Sequence, residues 1–101
     1  MNPIWIGFFD VTVPRDNPML DGSVGACLWI AAQAEDAAKL ELRATNVMRD
    51  LGLTVVESEQ LQEVVDEDEL SEELAALIPE AKRNVESVVC GTWRRFNNHN
   101  A

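Results

Sequence analysis

Nine acidic side chains fall in the seventeen residues from Glu57 to Glu73, and from Asp50 to Ala81 eleven acids stand without one Lys or Arg. Carboxylates at this density can hold a divalent cation, work as a general acid and base pair, or present an anionic surface. A calcium loop starting at Asp66 would need an oxygen ligand at its fifth position and glycine at its sixth; the chain has Leu70 and Ser71 there. Asp66, Asp68, Glu72 and Glu73 therefore supply oxygens without a defined cage, and no metal site is predicted. A carboxylate pair working as acid and base needs a deep cleft that raises one of the two pKa values, and a chain of 101 residues has little room for one. The remaining chemistry is that of a charged exterior.

Other reactive groups are few. The only histidine, His99, is third from the end of the sequence, where a ring is poorly held for proton transfer. That argues against Ser-His-Asp and Cys-His mechanisms, and no tyrosine is present as a substitute acid. Cys27 and Cys90 are the only cysteines. They lack metal-ligand spacing, sit among apolar neighbours, and are expected to be buried packing residues, on strands close enough for the thiols to pair on oxidation. No glycine-rich phosphate loop or dinucleotide fingerprint is present. No catalytic residue and no cofactor is assigned.

The formal net charge is −10, from eighteen acids and eight bases. Contact with nucleic-acid phosphates requires Lys and Arg to displace counterions, so nucleic acid and anionic membrane are excluded as partners. A basic protein surface, or self-association, fits better. Hydrophobic residues make up 47% of the chain, enough for one packed core. There is no leader-like N-terminus and no apolar run long enough to cross a bilayer, so a cytoplasmic location with reduced thiols is expected.

Elements must position these groups. Ile4–Val13 is rich in β-branched and aromatic residues with apolar side chains on both faces, as a central strand requires. Pro14 ends it, and Arg15–Gly22 carries the turn signals Asn17-Pro18 and Asp21-Gly22. Ser23–Ala32 reads as a second strand, hairpinned to the first. Ala37, Leu40, Ala44, Val47, Met48 and Leu51 form one helical stripe over Glu35–Leu51, which Gly52 is placed to end. Leu53–Val65 is extended, as one strand or as two broken near Ser58. Asp66 and Glu69 form a capping box for a second helix, with Leu70, Leu74, Leu77, Ile78 and Ala81 as its stripe and Pro79 as a kink. Val85–Phe96 is the last strand, with a bulge at Gly91, followed by a polar tail at 97–101.

The expected fold is one α+β domain over residues 1–96. It is a two-layer sandwich of order ββαβαβ, with a mostly antiparallel sheet of four to five strands and both helices on one face, a variant of the ferredoxin-like arrangement. In general character the chain resembles small acidic α+β proteins of bacteria, a likeness that carries no residue over.

Two functions compete, beside a third reading in which the chain is a subunit that only completes a larger assembly, as an exposed apolar patch would indicate. In the first, the chain is a non-enzymatic interaction module whose acidic face (Glu57, Glu59, Glu63, Asp66, Glu67, Asp68, Glu72 and Glu73) docks a basic protein. By analogy of charge alone, bacterial immunity proteins and nucleic-acid-mimicking inhibitors work this way. Trp93, Arg94 and Arg95 form a secondary patch, which could instead meet the acidic helix of the same chain or of a second copy in a homodimer. In the alternative, a small-molecule binder or enzyme has a pocket between sheet and helices, or across a homodimer, built from Asp10, Arg15 and Glu57 with Trp5 or Trp29.

Overall fold

Strands with apolar residues on both sides need cover on both sides, and this requirement sets the architecture. The computed structural model describes residues 2–12 and 25–96. In chain order they form β1 (Ile4–Thr12), β2 (Gly25–Gln33), α1 (Ala37–Asp50), β3 (Thr54–Glu63), α2 (Glu72–Arg83), β4 (Val88–Cys90) and β5 (Arg94–Phe96). The chain is α+β, with one open antiparallel sheet and two helices. Across the sheet the strands run β3-β1-β2-β4, and β5 also pairs with β2, further along it.

The helices lie on opposite faces, which corrects the expectation of a two-layer sandwich with both on one side. Leu40, Ala44 and Met48 of α1 pack with Phe9, Val11, Ala26, Leu28, Ile30 and Ala32. Leu74, Leu77, Ile78 and Ala81 of α2 pack with Ile4, Ile6 and Ala31. Neighbouring strand residues point to opposite sides of a sheet, so Ala31 and Ala32 serve different layers. The physical cause is composition: β1 and β2 carry large apolar groups on both faces, and one layer of helices would leave one set in water. Fully burying a residue such as Phe9 or Ile6 contributes about 1.5–3 kcal/mol each.

The segments follow local chemistry with specific departures. Asp36 caps α1, its Oδ1 accepting from the Lys39 amide at 2.9 Å. Gly52, at φ 82°, closes the helix in the left-handed region where a side chain is strained. β3 is one strand, with register shifts opposite β1 and a left-handed residue at Gln60, rather than two strands broken at Ser58. Asp66 caps a short 3-10 turn at Glu67–Glu69 by accepting from the Asp68 amide, and α2 starts later, with Ser71 Oγ accepting from the Leu74 amide at 3.3 Å. Pro79 lies inside α2, exposed and without breaking the assigned helix. It removes one backbone bond, while the buried stripe continues through Ala81. The last extended segment is two strands, parted at Gly91, whose amide donates to the Trp29 carbonyl at 2.8 Å. The Arg15–Gly22 loop, His99 and the tail lie outside the described residues.

Candidate functional site

β3 carries the first of the acids, and its bulges decide where they point. Register places Glu57 opposite Asp10 and Glu59 opposite Phe8, then slips by one residue so that Gln62 faces Ile6 and Glu63 faces Trp5. One extra residue reverses the sidedness of everything beyond it. Glu57 and Glu59 therefore lie on the α2 side, whereas Glu63 lies on the α1 side beside Trp5. The acidic stretch wraps around the β3 edge and does not form a single face. Charged side chains along an edge strand also discourage pairing with another chain.

The remaining acids follow in the connection and in α2. Asp66, Glu67 and Asp68 belong to the 3-10 turn and its cap; Glu72 and Glu73 occupy the first turn of α2, where the helix dipole favours negative charge. Seven of the eight candidate acids are exposed, and Glu73 is half-buried. Two are engaged in ion pairs within the chain, besides Asp66, which accepts from the Asp68 amide. Glu67 pairs with Lys82, and Glu73 takes both terminal nitrogens of Arg94, Nη1 to Oε1 at 3.2 Å and Nη2 to Oε2 at 2.8 Å. Among the described residues the other six have no basic partner. Gln62, Glu63, Val64, Val65, Asp66, Glu69 and Leu70 surround an open-sided depression of about 270 Å³. Among the described residues, no group of three or more His, Cys, Asp or Glu side chains could hold a metal ion.

The secondary patch is divided. Trp93 lies in the break between β4 and β5, outside any strand, and packs into the α1-side core. Arg94 pairs in register with Cys27, on the α2 side, and meets the acidic helix of its own chain. Arg95 pairs through its backbone with Ala26. Trp93 and Arg94 thus do not form one surface.

A different set converges on the α2 side. α2 covers the sheet around Ile4, Ile6 and Ala31, with Trp29 packed partly against that cluster. Beyond that cover Phe8, Asp10, Cys27 and Trp29 are only half-buried, although Phe9, Val11, Ala26 and Leu28 on the reverse side are wholly enclosed. The Phe8 and Trp29 rings lie 5.1 Å apart between centroids, tilted by 60°. Asp10 and Glu57 stand directly opposite across β1 and β3, and Glu59 faces Phe8. The Cys27 thiol, which donates to the Arg94 carbonyl at 3.7 Å, is pushed above its ordinary value by burial and by Asp10, opposed by Arg94 and reinforced by Glu59.

Of the pocket residues expected from the sequence, Asp10, Glu57 and Trp29 are brought together. Trp5 lies on the other face, and Arg15 is outside the described residues. Phe8 lies within the expected first strand, and the signal that marks it is its alternation with Asp10, matched by Trp29 with Cys27 on β2. The cysteines do not approach each other. Cys27 is on the α2 side, whereas Cys90 pairs with Ile30 and packs into the α1-side core, so strand alternation separates the thiols by the thickness of the sheet. Both are half-buried, not fully enclosed, and burial raises the pKa of Cys90 as well. No helix among the described residues is long and apolar enough to cross a membrane. Comparisons with family models, with curated proteins and with solved structures give no match.

Proposed function

We propose that the chain is a non-enzymatic interaction module that docks a basic protein through its anionic surface. The observation that carries this reading is the state of the acids: Glu57, Glu59, Glu63, Asp66, Asp68 and Glu72 are exposed and have no basic partner among the described residues. Carboxylates that serve only the fold tend to be paired or to act as caps, as Glu67 and Glu73 are paired here and Asp66 caps a turn, which leaves the other five free of such a role among the described residues. Free ones raise the association rate of a cationic partner and penalise an anionic one. Among the described residues these acids are exposed, whereas acid–base chemistry uses carboxylates in an enclosed, water-poor cleft.

The test is affinity capture with the wild-type chain and with a variant carrying Gln or Asn at those six positions. A partner held by the wild type at about 50 mM salt, released near 1 M and missed by the variant supports the reading, since exposed charges are screened within roughly 10 Å at 0.1 M salt. Recovery of the same partners by both chains, or at both salt levels, refutes it.

A second reading, a small-molecule binder, draws on the convergence of Asp10, Glu57 and Trp29 on one half-covered patch. A homodimer that closes over this patch would supply the missing wall. Two copies at −10 each repel one another, which favours the heterologous basic partner.

A further inference from the structure

The half-covered patch on the α2 side combines two features that sheets normally avoid. Asp10 and Glu57 are like charges placed directly opposite each other across a strand pair, an arrangement that costs stability. Glu59 adds a third carboxylate one pair further along, opposite Phe8. Beside them Phe8 and Trp29 leave aromatic surface only half-buried, with centroids 5.1 Å apart. Among the described residues the cation in the same cross-strand row, Arg94 beyond Cys27, does not relieve the repulsion, because its guanidinium is held by Glu73 through both terminal nitrogens.

A site with paired carboxylates and ring faces, and no further cation bound to it among the described residues, is complementary to one kind of group. A planar guanidinium stacks on aromatic faces and donates in a fork to carboxylates, whereas an ammonium offers a compact, more strongly hydrated charge. Directly opposed residues have Cβ atoms about 4.5–5.5 Å apart, a spacing at which two carboxylates can share one guanidinium. We infer that the Phe8–Trp29 ring pair, bordered by Asp10, Glu57 and Glu59, is the anchor for an arginine side chain of a basic partner protein. This rests on the anionic-docking reading and narrows it from a diffuse surface to one contact, with the acids around the β3 edge steering the approach.

The test is a titration of the ¹⁵N-labelled full chain with a hexa-arginine peptide in about 20 mM salt, low enough to leave surface charge largely unscreened. The indole resonance of Trp29 and the amides of Phe8, Asp10, Glu57 and Glu59 are expected to move together, while the indoles of Trp5 and Trp93, both packed on the reverse side, stay in place. Trp29→Leu should weaken the peptide about three- to fivefold, the range of one exposed cation–π contact. Should that variant fail to fold, the double variant E57Q/E59Q alters only exposed positions and should weaken binding at least as much. Shifts confined to Glu63–Glu73, with Phe8 and Trp29 unmoved, overturn the anchor and leave the docking reading standing. Absence of any shift at low salt overturns the docking reading itself, and the anchor with it.

Discussion

The side-chain amide of Gln33 reaches from the end of β2 to the end of α2, with Nε2 3.0 Å from the Ala81 carbonyl oxygen and 3.3 Å from that of Lys82. The last carbonyls of a helix have no intrahelical partner, and here a buried glutamine, 2% exposed, supplies one. Its backbone carbonyl accepts from Arg43 Nη1 of α1, so this residue connects both helices through the sheet between them. Gln33→Leu keeps similar bulk but leaves the buried Ala81 carbonyl without its donor. The expected cost is about 1–2 kcal/mol, the penalty of one orphaned buried polar group, read from urea denaturation. A change below about 0.5 kcal/mol, the scatter of ordinary surface substitutions, would show that water replaces the amide.

Neutralising one of the opposed carboxylates should strengthen the fold. Asp10→Asn removes a like-charge cross-strand contact with Glu57, with an expected gain of about 0.2–1 kcal/mol. The gain should shrink in about 1 M salt, where screening acts within roughly 3 Å. A destabilised variant would mean that the Asp10 carboxylate is held by a favourable contact.

The Glu73–Arg94 pair ties β5 to the first turn of α2 in a bidentate geometry, yet the Arg94 side chain is 49% exposed. Solvent screening limits such a pair, so a double-mutant cycle with Glu73→Gln and Arg94→Met should return a coupling of roughly 0.2–1 kcal/mol. A value above about 2 kcal/mol would place the pair in a drier setting than its exposure indicates.

Gly52→Ala should destabilise the fold by about 1 kcal/mol or more, because its φ of 82° is strained for any residue with a Cβ. Thermal or urea unfolding reads this directly. A neutral result would mean that the α1 terminus rearranges.

Burial raises the Cys90 thiol above its reference value of 9.0. The folded chain therefore keeps a proton that the unfolded chain loses. This contribution is complete below about pH 9 and declines as pH rises through the raised value. Comparing urea midpoints at about pH 8 and pH 10 should show a steeper fall for the wild type than for Cys90→Ala; equal slopes would place this thiol in contact with water. Because Cys27 and Cys90 face opposite sides of the sheet, mild oxidation of the native chain should not link them, and an intramolecular disulfide in intact-mass analysis would contradict the assigned faces.

Composition and local pattern were sufficient for the presence of most elements, but not for the start of α2 or for the division of the last extended segment into two strands. The apolar stripe through Leu40, Ala44 and Met48 fixed α1, Gly52 fixed its end, and the two-sided apolar character of Ile4–Val11 already implied a covered central strand. Local pattern could not choose the face for each helix, because an amphipathic stripe states only that one side must be buried. That choice depended on both faces of β1 and β2 carrying large side chains, a requirement met only when the whole sheet is assembled. The same holds for the acids. Their number and exposure follow from the residue types, but the bulge at Gln60 decides that Glu57 and Glu59 turn toward Asp10, Phe8 and Trp29 while Glu63 turns away. A one-residue slip leaves almost no trace in sequence and reverses every side chain beyond it, so the meeting of carboxylates and rings on one patch belongs to the tertiary structure.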